Sequence, residues 1–130
     1  MMANHSNSIE SIIKDYLEHK EKSAVHGKKR LDAEKEYNKL LTKYNGEAKH
    51  YSLDQADSIY KAYLEMIANG EKSSLAQAKF TEAEEKLREV GKILFEATIS
   101  AEIVLGPTNG EMPSTRSVRV DYHNGNVVVS

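Results

Sequence analysis

From Ala76 to Val104 the chain keeps one apolar rhythm: Ala76, Phe80, Ala83, Leu87, Val90, Leu94, Ala97, Ala101 and Val104, spaced by alternating steps of four and three. Such steps average 3.5 residues, the repeat that keeps one side of a helix turned toward a partner helix. A helix of this kind has to bury its stripe, either in its own chain or against a second copy.

Punctuation divides the rest into elements. Asn7-Ser8-Ile9-Glu10 has the form of a capping box. A first helix is expected from there to about Tyr44, ended by Asn45-Gly46, with a bend near His26-Gly27. Ser52-Leu53-Asp54-Gln55 is a second capping box and opens a second helix. Its stripe reads Leu53, Ala56, Tyr60, Tyr63, Leu64 and Ile67, and Asn69-Gly70 is a residue pair that ends helices. Ser74-Leu75-Ala76-Gln77 then opens the third and longest helix, which Gly106-Pro107 would stop. Thr98 to Leu105 also alternates as a strand would; because the 3.5 repeat persists, we read it as helix. Read as strand, it stops the third helix near Glu96.

The C-terminus carries a hairpin signal. Asn124-Gly125 suits the two positive φ angles of a type I′ turn. Centring the turn there sets Tyr122 opposite Val127 and Val120 opposite Val129, with Asp121 opposite Val128 and Arg119 opposite Ser130. A lone hairpin is marginal in water, so the Val120, Tyr122, Val127 and Val129 face is expected to rest on helices or on another subunit. The expected fold is mainly α: a three-helix antiparallel coiled-coil-like bundle with a C-terminal β-hairpin. It forms a single domain, with residues 1–105 as the bundle and 106–130 as loop plus hairpin.

Charge and composition narrow the function classes. Residues 1–51 hold ten Lys/Arg against eight Asp/Glu, whereas 52–105 hold six against ten. The first helix is therefore expected to meet the later ones, within or between subunits. Cysteine is absent, which removes disulfides, thiolate metal sites and cysteine catalysis. With no apolar run approaching a membrane span and no secretion-type start, the expected location is cytoplasmic.

No catalytic signature stands out. His19 and His26 are seven apart, too far to share one ion as helical ligand pairs do at three or four. Glu82, Glu84, Glu85 and Glu89 read as a hydrated flank beside Lys86 and Arg88. The expectation is no enzyme, no cofactor and no metal. What remains is a small protein–protein interaction module of adaptor, chaperone or inhibitor type. A third helix of 32 residues would be ~48 Å long, whereas a compact globule of this size is ~36 Å across. That overhang points to a homodimer built on Phe80, Leu87, Val90 and Leu94. The alternative is a nucleic-acid-associated protein using Lys28, Lys29, Arg30, Lys35 and Lys39, although Asp32 and Glu36 interrupt that face.

Overall fold

In the computed structural model, residues 8–44, 50–106 and 112–130 are described. They form two helices, α1 (Ile9–Lys43) and α2 (Leu53–Val90), followed by three strands, β1 (Ala97–Leu105), β2 (Ser114–His123) and β3 (Asn126–Val129). The strands make one antiparallel sheet in the order β1-β2-β3. The three-helix bundle is thus corrected to two long helices plus a three-stranded sheet. Asn45-Gly46, Asn7 and residues 107–111 of the expected loop lie outside the described residues.

Two misread segments account for the correction. Asn69-Gly70 does not end a helix, because α2 runs through both. The Asn69 side-chain amide donates back to the Glu65 carbonyl at 2.8 Å, a bond made inside a helix rather than at its end. The second is Ala97–Leu105, which is a strand in one-to-one register with β2, from Ala97 opposite Tyr122 to Leu105 opposite Ser114. The helix stops at Val90, before Leu94. His26-Gly27 likewise causes no break, and α1 is continuous across it.

Local chemistry sets the ends. The Ser8 hydroxyl accepts from the Ser11 amide at 3.1 Å and caps α1. Ser52 and Gln55 make the reciprocal capping box expected of them: the Gln55 side chain accepts from the Ser52 amide at 2.9 Å, and the Ser52 hydroxyl from the Gln55 amide at 3.2 Å. The last four carbonyls of α2 all find donors. Gly91 donates to Arg88, Lys92 to Glu89, and Ile93 and Leu94 to Val90. The fourth, Leu87, accepts from the buried Tyr122 hydroxyl at 2.7 Å.

Gly91 lies where the chain leaves α2 against the hairpin turn. A Cβ there would come within 2.5 Å of the Gly125 carbonyl oxygen and 2.9 Å of the Tyr122 ring, so no larger residue fits without backbone movement. The turn has Asn124 and Gly125 at φ 52° and 78°, as type I′ requires. The expected register holds throughout, with Val120 opposite Val129, Asp121 opposite Val128 and Tyr122 opposite Val127. Arg119 and Ser130 exchange both backbone bonds.

The described chain divides into two compact units, residues 1–22 with 77–130, and residues 23–76. The first holds the hydrophobic core: Ile13, Leu17, Leu87, Ile103, Leu105, Val118, Val120 and Tyr122. Ile13, Leu87, Ile103 and Val120 are closed to solvent almost completely. Alternation along β1 and β2 puts Ile99, Ala101 and Ile103 with Val118 and Val120 on the core face. Thr98, Ser100, Glu102 and Val104 stay exposed on the other. In the second unit α1 and α2 run side by side, with the Tyr37 and Tyr63 rings 5.7 Å apart.

Candidate functional site

Within the second unit, α2 has two unlike faces. Its less exposed positions follow Gln55, Ile59, Ala62, Met66, Asn69, Ser73 and Ala76, again in alternating steps of four and three, with Ser58 and Gly70 beside them. Most of these side chains are small or polar, and only Ala76 is classed as buried. At 100° per residue, Leu53, Tyr60, Leu64 and Leu75 fall on the opposite side, with Ile67 at its margin. All are large, apolar and open: Leu53 is 77% exposed, Tyr60 61%, Leu64 47%, Ile67 41% and Leu75 60%.

The cause is the sequence of the seam. Ala62, Asn69 and Ser73 give the less exposed side little bulk, and the larger apolar side chains stand at helix positions on the other side. Beside Ile67 a groove of about 720 Å³ opens, lined by Arg30 and Glu34 of α1 and by Met66, Gly70, Glu71 and Ser74 of α2. Arg30 and Glu34 are joined at 2.8 Å along its wall. Charge surrounds the apolar patch unevenly. From Leu53 to Ala76, α2 carries Asp54, Asp57, Glu65 and Glu71 against Lys61 and Lys72, with Asp57 and Glu71 at the two ends of the Tyr60–Ile67 patch.

This face is the stripe that the sequence assigns to the inside of a second helix. The signal that would have corrected it is the competing set four-and-three from Gln55 to Val90. That set extends the Ala76–Val90 rhythm toward the N-terminus instead of into Ala97–Val104.

The residues expected to mediate self-association have another placement. Leu87 has no exposed surface, and Val90 and Leu94 pack against the same core. The Phe80 ring lies 5.5 Å from that of Tyr16. Their apolar surface is used inside one chain. In the hairpin, Val120 and Tyr122 are core residues, and Val127 and Val129 pack against the core from β3.

Of the basic residues, Lys28, Lys29, Lys35 and Lys39 are exposed, and Arg30 is half-buried and paired with Glu34. Asp32 and Glu36 are exposed among them. His19 borders a shallow groove with Asp15, Lys79, Glu82 and Lys86, in which cations and carboxylates alternate. His26 turns its Nδ1 away from solvent, with no hydrogen-bond partner among the described residues. Among the described residues, no helix is long and apolar enough to cross a membrane.

Beside the hairpin turn, the Glu96 carboxylate accepts from the Asn124 amide at 3.0 Å and lies 3.0 Å from His123 Nδ1. With the Asn124 side-chain amide facing His123 Nε2, the ring proton belongs on Nδ1, which donates to Glu96. These contacts hold the Glu96 carboxyl below its usual value, the Asn124 amide contributing most. The arrangement is open and fastens the turn. No family model, curated protein or solved structure matches the chain.

Proposed function

We propose that this chain is a small non-enzymatic protein-interaction module whose binding surface is the outward face of α2. One observation carries the reading: Leu53, Tyr60, Leu64, Ile67 and Leu75 are exposed along one side of a helix that runs beside α1, where the Tyr37 and Tyr63 rings are 5.7 Å apart. A helix-in-groove contact can use the Tyr60, Leu64 and Ile67 patch, which Asp57 and Glu71 bound, with Leu53 and Leu75 as outlying anchors beyond them. The partner that fits is an amphipathic helix carrying apolar anchors at three- and four-residue steps, flanked by Lys or Arg to meet Asp57 and Glu71. Leu64 and Ile67 are 47% and 41% exposed, so covering each one contributes about half of the ~1.5–3 kcal/mol of a full burial, and a specific complex draws on several anchors together.

The test compares the wild type with a Leu64→Asp, Ile67→Asp double variant as bait for partners from the source cells. Both positions are exposed, so the variant is expected to keep its circular dichroism spectrum and its unfolding midpoint. A partner held by the wild type should be lost at least tenfold by the variant, since each buried carboxylate costs more than 1.4 kcal/mol. Equal retention by the two proteins would overturn the assignment.

A further inference from the structure

We infer that the outer edge of β1 pairs with β1 of a second copy of this chain, antiparallel and centred on Ala101, to join two three-stranded sheets into one of six. This inference is independent of the α2 face. β1 is an edge strand nine residues long, and among the described residues no strand pairs with its outer side. Proteins protect such edges with lysine, proline, bulges or short length. β1 has none of these: it holds no Lys or Pro, and its register with β2 is one-to-one from end to end.

The direction of its free backbone groups follows from the ladder. Arg119 and Ser130 exchange both bonds, so Arg119 directs its N–H and C=O toward β3. Antiparallel strands alternate, so Val118 and Val120 direct theirs toward β1, where Ala101 and Ile99 oppose them. Thr98, Ser100, Glu102 and Val104 therefore present their backbone groups to the open side. The next in that series, Gly106, has its N–H taken by Glu18 Oε2 at 3.2 Å, which marks where the open stretch ends.

That stretch is self-complementary. A two-fold axis at Ala101 sets Thr98 opposite the partner copy's residue 104 and Ser100 opposite its residue 102, and each relation occurs twice. Those four pairs supply about eight backbone hydrogen bonds. On the core face, Ile99 meets position 103 and Ala97 meets position 105, so apolar lies against apolar. Only this centre uses all nine residues, and it keeps the single charge of the strand, Glu102, opposite a hydroxyl. Centring on Glu102 would set that carboxylate against its own copy, which destabilises a pair. Isologous pairing of this kind closes a dimer and leaves no further β1 edge to propagate.

Sedimentation equilibrium on the full chain tests it, across micromolar to millimolar concentrations. The wild type is expected to approach twice the chain mass. Ser100→Glu puts like charges opposite each other at two symmetric places and should weaken the dimer about tenfold. The added carboxylate faces Arg119 within its own chain, so the fold is expected to hold. Combining Ser100→Glu with Glu102→Lys sets opposite charges across the same pairs and should restore dimerisation. The mass of one chain at every concentration would overturn the proposal. So would a dimer indifferent to Ser100→Glu, because its contact would lie elsewhere.

Discussion

Glu96 and Asp121 are two carboxylates that tie parts of the sheet and its hairpin turn together. Glu96 receives the Asn124 amide and the His123 ring, and Asp121 receives the Thr98 hydroxyl at 2.7 Å and Arg119 at 3.1 Å. Both are held below their usual values of 4.5 and 3.8, Glu96 chiefly by the Asn124 amide and Asp121 chiefly by the Thr98 hydroxyl. A carboxyl whose folded pKa is depressed adds stability above its ordinary value, and that stability drains as pH falls through the lowered one. Acid should therefore loosen the sheet below about pH 4, modestly, because both groups are exposed. Thermal unfolding followed between pH 7 and about pH 2.5 checks this. A Glu96→Gln, Asp121→Asn variant should start lower at neutral pH and lose less on acidification. The Glu96 and Thr98 pairings were not readable from spacing: Glu96 and Asn124 are 28 positions apart, and only folding brings them together.

At the scale of elements, the hairpin was legible and α2 and β1 were not, for distinct reasons. Asn124-Gly125 sets its turn through its own φ angles, a local property, so turn and register could both be read. Ala97 and Ala101 satisfy a helical repeat and a strand alternation equally, whereas Val104 fits only the repeat and lies on the exposed face of β1. What decides between them is pairing with Ser114–His123, a long-range contact. Asn69-Gly70 resembles a helix end by composition, yet packing carries α2 straight through it. Gly70 offers a direct check of that continuity. A Cβ there would meet nothing within 4 Å, so Gly70→Ala should stabilise the protein by about 1 kcal/mol in denaturant unfolding. Were residue 70 a left-handed helix cap, the same substitution would destabilise by a similar amount.

For the molecule as a whole, the sequence left protein interaction as the expectation once catalytic signatures were missing, without showing where such a surface would lie. The Tyr60, Leu64 and Ile67 stripe was visible in the sequence, but its direction depended on which of two competing faces of α2 meets α1. Small residues took the inner seam, so the larger ones define the surface. The central claim is that this stripe is open on the folded chain. The absence of native cysteine allows a direct measurement, because one introduced thiol reports on one position. Single variants Leu64→Cys and Ala83→Cys, compared for their rate of alkylation under native conditions, test it most directly. Position 64 is 47% exposed and position 83 only 5%, so the first thiol should react at close to the rate of an unfolded peptide and the second at least tenfold more slowly. Protection of Leu64→Cys equal to that of Ala83→Cys would mean that the stripe is already covered, and the assigned binding face would be lost.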